Sequence, residues 1–105
     1  MNANDNNNEN LGVAREPQRL SVAAQVFIDN ELDDLLTKRG KRIENFLKWQ
    51  KPKEATLLLV EAFDIVTEIK TPSIRVSALQ GVAQVYNQNR EIFLAEAERM
   101  NLNLS

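Results

Sequence analysis

The apolar residues of this chain recur at intervals of three and four, and the recurrence is punctuated at Gly40, Pro52 and Pro72. That period belongs to one face of an α-helix, and the punctuation cuts the chain into consecutive helices with short connections. Ser21 is placed as an N-cap, followed by Ala24, Phe27, Ile28, Leu32, Leu35 and Leu36 as the core stripe of a helix that Gly40 ends. Ile43, Phe46 and Leu47 mark a short second helix that stops near Gln50, with Pro52 and Lys53 as the turn. A third helix, over residues 52–70, carries Ala55, Leu58, Leu59, Ala62, Ile65, Val66 and Ile69, and Leu57 and Phe63 widen its stripe. Thr71-Pro72-Ser73 stops that helix and restarts the next, since proline fits a first helical turn after a capping threonine. The fourth helix uses Ile74, Ala78, Leu79, Val82, Ala83 and Tyr86.

Its end admits two solutions. The polar run Asn87-Gln88-Asn89-Arg90 forms a turn into a fifth helix holding Phe93, Ala97 and Met100, or the helix continues with Leu79, Tyr86, Phe93 and Met100 spaced by seven. Asn89 and Glu96 spoil the complementary positions of such a seam, which favours the turn. The expected fold is therefore all-α, a small antiparallel bundle of four or five helices, with a domain over residues 19–105. Residues 1–10 hold six asparagines and no apolar run, so residues 1–18 are expected to form a disordered tail. A start this acidic and polar is not expected to act as a secretory signal, and no apolar run exceeds four residues, the length of Leu57-Leu58-Leu59-Val60, far too short to cross a bilayer. A cytoplasmic protein with no membrane contact is the expectation.

With 105 residues the chain suffices for one domain. It contains neither cysteine nor histidine, which removes disulfides, thiol nucleophiles, imidazole acid–base chemistry and the usual zinc sites. Gly12, Gly40 and Gly81 lie too far apart for a phosphate-cradling loop. Carboxylates alternate at Asp29, Glu31, Asp33 and Asp34, yet the sixth and twelfth places of a calcium loop starting at Asp29 are Asp34 and Gly40, where glycine and glutamate are required. These acids are expected on a solvated helix face, as are Glu61, Asp64 and Glu68. No enzyme activity, metal or cofactor is expected.

Charge is the least ordinary feature. The net value of −2 conceals +6 over residues 37–53, flanked by −3 over residues 15–36 and −3 over residues 54–105. Lys38, Arg39, Lys41, Arg42, Lys48, Lys51 and Lys53 share that window with a single acid, Glu44, and with Trp49, which sits off the local apolar stripe. These eight positions, Trp49 included, are the candidate contact residues, for an acidic protein surface or for nucleic-acid phosphates. The apolar stripes of the third and fourth helices also exceed what so small a bundle needs, so apolar surface is expected to be shared with another chain, most simply in a homodimer.

Ala62, Val66, Ile69 and Pro72, followed by Leu79, Val82, Ala83, Tyr86 and Ala95, resemble the helix-turn-helix unit of tetratricopeptide-like repeats over about residues 62–101. The resemblance implies Ala83 and Ala95 as close-packing positions, Tyr86 as the aromatic that closes the hairpin, and protein binding as the role. Arg99 stands where that unit has a large apolar residue, and Pro72 falls about two residues early. The function expected is a protein-protein interaction or adaptor role with self-association. The alternative is a small nucleic-acid-binding regulator acting through residues 38–53.

Overall fold

A computed structural model describes residues 20–103 of the chain; the tail assigned to residues 1–18 lies outside them. Four helices and no strand make up the described residues: α1 (Val22–Lys48), α2 (Pro52–Glu68), α3 (Pro72–Gln88) and α4 (Arg90–Arg99). The fold is thus an all-α bundle. The Ser21 hydroxyl accepts a hydrogen bond from the Ala24 N–H at 3.1 Å and caps α1, as the sequence predicts. Pro52 and Pro72 each open a helix.

Gly40 does not end a helix. The two segments expected on either side of it fuse into α1, 27 residues and about 40 Å long. Gly40 keeps a negative φ, so the left-handed conformation that would make it a terminator is absent. Its neighbours Lys38, Arg39, Lys41 and Arg42 are good helix formers, and Leu36 and Ile43, two turns apart, lie on the same buried face on either side of it. An interior glycine costs about 1 kcal/mol against alanine, less than the burial of two such side chains returns.

The true end of α1 is a Schellman motif. Gln50 takes φ 60°, its N–H donates to the Leu47 carbonyl at 3.1 Å, and the Lys51 N–H donates to the Phe46 carbonyl at 2.8 Å. The same arrangement closes α4, with Asn101 at φ 59° and the Leu102 N–H on the Ala97 carbonyl. Between α3 and α4 the chain breaks at Asn89 alone, which resolves the ambiguous segment in favour of a turn; the Asn89 side-chain amide donates to the Val85 carbonyl at 3.1 Å.

The short connections reverse the chain twice. Asp29 meets Lys70 and Thr71 near the start of α3, while Gly40 faces Val85 near its end, so α1 and α3 run in the same sense with α2 opposed to both. The core joins Leu36 and Ile43 of α1, Ala55, Leu59, Ala62 and Val66 of α2, and Ala78 and Val82 of α3, with Ile69 just beyond α2. Helix α4 packs on α2 and the end of α3, not on α1. Its anchor is the fully buried Phe93, stacked 6.2 Å from Tyr86, which meets Phe63 edge-on at 6.5 Å. The small residue that α4 buries is Ala97, whereas Ala95 is exposed.

Three residues assigned to the core stripe of the first helix lie outside it. Phe27, Ile28 and Leu35 are exposed, because extending α1 through Gly40 fixes its buried line along Asp29, Leu36 and Ile43, seven residues apart, and leaves Phe27 on the opposite side.

Candidate functional site

The acidic face expected on the first helix hides one residue that is not on the surface at all. Asp29 is completely buried. Its Oδ2 accepts hydrogen bonds from the Thr71 N–H at 2.7 Å and the Lys70 N–H at 3.2 Å, and its Oδ1 accepts from the Gln25 amide at 2.9 Å. Burial alone would raise its pKa; the hydrogen bonds from the Thr71 hydroxyl and N–H, the Gln25 amide and the Lys70 N–H outweigh it and hold the carboxyl at about 2, below the ordinary 3.8. Asp29 therefore caps α3 from a neighbouring helix, placing negative charge where the first N–H groups and the helix dipole need it. Thr71 occupies the N-cap position as expected, but its side chain makes no capping bond to α3. The carboxylate is fully engaged in structure and offers no chemistry to a substrate. Among the described residues no cluster of acids is placed to hold a metal ion.

The eight basic-window residues separate into three groups. Lys38, Lys41, Arg42, Lys48 and Trp49 are all exposed and lie on the outer side of α1, about 15 Å from first to last cation at 1.5 Å per residue. Arg39 lies about 100° further round, half-buried, and its guanidinium is paired with Glu61 of α2. Lys51 and Lys53 are exposed but belong to the α1–α2 connection and the start of α2. Within the first group, the Arg42 guanidinium stands 5.9 Å from the Phe46 ring centroid, and Trp49 meets Phe46 edge-on at 5.8 Å. Phe46 is packed against the core, so this contact steadies Trp49, which remains 59% exposed.

The outer side continues toward the start of α1. Phe27, Glu31, Asp34, Lys38, Lys41, Asn45 and Lys48 are spaced alternately by four and three and every one is exposed. That spacing follows a single helical line, antipodal to Asp29, Leu36 and Ile43. Phe27, 67% exposed, sits at its acidic end and Trp49 at its basic end, with Leu35 alongside. Sequence reasoning found the basic half and missed the rest. The signal was available in the four-three spacing itself, which only becomes visible once the helix is carried through Gly40.

A groove of about 340 Å³ runs between α1 and α3 down to Ala62, with Leu36, Ile43, Ala78 and the interior glycines Gly40 and Gly81 along it. On the third and fourth expected helices the surplus apolar residues left at the surface are Leu57, Val76 and Leu79. No helix among the described residues is long and apolar enough to cross a membrane. Compared with known proteins, the chain matches no family model, no curated sequence and no solved structure.

Proposed function

We propose that this chain is a non-enzymatic protein-protein interaction module of the cytoplasm, docking its partner on the outer face of α1. The observation that carries the proposal is the uninterrupted line of seven exposed positions from Phe27 to Lys48, bracketed by the exposed aromatics Phe27 and Trp49. Tryptophan and arginine are among the residues most often found to dominate protein interfaces, and an exposed aromatic at each end of one helix face has a solvation cost that a partner relieves. The likeness of residues 62–101 to a tetratricopeptide helix pair is to a protein-binding unit, but Ala95, a close-packing position in that likeness, is exposed, so the proposal rests on the α1 face.

Nucleic acid binding through residues 38–53 is the weaker alternative. Arg39 is committed to Glu61, while Glu31, Asp34 and Glu44 share α1 with Lys38, Lys41 and Lys48 and repel a phosphate backbone running along it. The test is photo-crosslinking in cells, with a photoreactive phenylalanine analogue replacing Lys38 or Asn45 on the outer face and Gln80 of α3 as the control. Nuclease-resistant protein adducts from Lys38 and Asn45 but not from Gln80 are expected. Adducts that nuclease digestion removes would transfer the assignment to nucleic acid, and no adduct from either position would sink the docking face.

A further inference from the structure

The outer face of α1 is charged with opposite sign at its two ends. Glu31 and Asp34 occupy its first half, Lys38, Lys41, Arg42 and Lys48 its second, and Glu31 lies about 16 Å from Arg42 along the axis. Two such faces laid parallel would set like charges together. Laid antiparallel across a twofold axis near Lys38, each acidic half lies on the other's basic half, because in a twofold contact every pairing occurs twice. We propose that the partner recognised by this face is a second copy of the same chain, bound antiparallel through α1. This names the partner for the docking face proposed above and rests on that proposal.

The register follows from the spacings. With Lys38 at the axis, Asp34 falls level with Arg42 of the second copy along the helix, Leu35 level with Lys41, Glu31 level with Asn45 and between Lys41 and Lys48, and Phe27 level with Trp49. The two lysines at the axis each have the other copy's Asp34 one turn away. The aromatic pairs close both ends, which covers the two most exposed rings of this face. Nothing in the arrangement requires the core to move: every residue named is already exposed, and Arg39, whose guanidinium is held by Glu61, stays outside the contact.

Its strength is limited by its size. A contact running from Phe27 to Trp49, about 33 Å long and about 10 Å wide, covers about 330 Å² on each copy, less than half of what a standard stable interface buries per partner. The dimer is therefore weak, fast to exchange and sensitive to salt, since its alignment is set by exposed charges that are screened beyond about 10 Å at 0.1 M ionic strength.

Sedimentation of the full chain at about 100 µM, a concentration suited to so small an interface, tests the proposal with two charge-reversed variants. One carries Lys38→Glu, Lys41→Glu and Arg42→Glu; the other carries Glu31→Lys and Asp34→Lys. The wild type is expected to sediment as a dimer in 50 mM salt and to weaken by roughly tenfold in 0.5 M salt. Each variant alone should be a monomer, and an equimolar mixture of the two should recover a one-to-one heterodimer, a rescue that misfolded chains cannot give. A mixture that stays monomeric, or variants that dimerise alone as well as the wild type does, would overturn the proposal. A wild type that is monomeric at both salt concentrations would overturn self-association while leaving the docking face to the cross-linking result; absence of cross-links from Lys38 and Asn45 would remove the face itself.

Discussion

Replacing Gln50 by glycine should stabilise the protein. Gln50 ends α1 with φ 60°, a left-handed conformation in which the Cβ of an L-residue crowds the following carbonyl, at a cost of about 1–2 kcal/mol. The conformation is imposed by the hydrogen bonds around it, from the Gln50 N–H to Leu47 and the Lys51 N–H to Phe46, and the Gln50 side chain is exposed. Glycine removes the crowding and keeps both bonds, while the greater freedom it gives the unfolded chain takes back about 0.5–1 kcal/mol. The net gain is about 0.5–1 kcal/mol, which for a domain of this size raises Tm by about 2–8 °C. Urea denaturation followed by circular dichroism at 222 nm measures it, with an unchanged slope showing that the unfolded state has not been altered in compactness. Gln50→Asn should show a smaller gain, since asparagine tolerates the left-handed region, and Gln50→Val a loss. A glycine variant with the wild-type midpoint or a lower one would refute the assignment of strain to this cap.

Four further substitutions bear on the fold that presents α1. Because the Asp29 carboxyl titrates at about 2 when folded against an ordinary 3.8, its contribution is complete above about pH 4 and is lost as pH falls toward 2; Asp29→Asn should be less stable than wild type at pH 7 and flatter between pH 4 and 2, and parallel stability curves for the two would sink the cap. Gly40→Ala and Gly81→Ala should each stabilise by about 0.5–1 kcal/mol, because a Cβ at Gly40 would lie 3.9 Å from Val85 Cγ2 and one at Gly81 meets nothing within 4 Å; a drop in Tm at either position contradicts the open groove. Phe93→Ala should cost about 3–5 kcal/mol in urea unfolding, since the ring is fully buried against Tyr86, and a loss below about 1 kcal/mol would mean that α4 is not anchored there.

Most of the bundle was legible from residues whose effect is local. Ser21, Pro52 and Pro72 act on the turn they occupy, and the α2 residues Ala55, Leu59, Ala62 and Val66 are buried as their spacing requires. What escaped depends on partners distant in sequence. Asp29 reads as one of four surface acids until the start of α3, some forty residues later, is brought against it. Gly40 reads as a terminator because its local preference is weak, and the packing of Leu36 and Ile43 across it decides the outcome. Phe27 reads as part of the core stripe although it stands nine residues, half a turn round the helix, from Leu36; burial of Leu36 and Ile43 on one face leaves Phe27 and Leu35 with Lys38 and Arg42 on the outside. The basic cluster itself was visible as composition, but the loss of Arg39 to Glu61 could not be foreseen without the α1–α2 pairing.

The central claim is that this chain acts through the outer face of α1, and lysine footprinting in intact cells tests it most directly. Lys38, Lys41 and Lys48 lie on that face, while the exposed Lys53 and Lys70 lie on and beyond α2 and serve as references within the same molecule. A membrane-permeant acylating reagent followed by mass spectrometry should label the three outer-face lysines several-fold less than Lys53 and Lys70 in cells, and comparably with them in the dilute purified protein. Equal labelling of all five in both settings would contradict the claim.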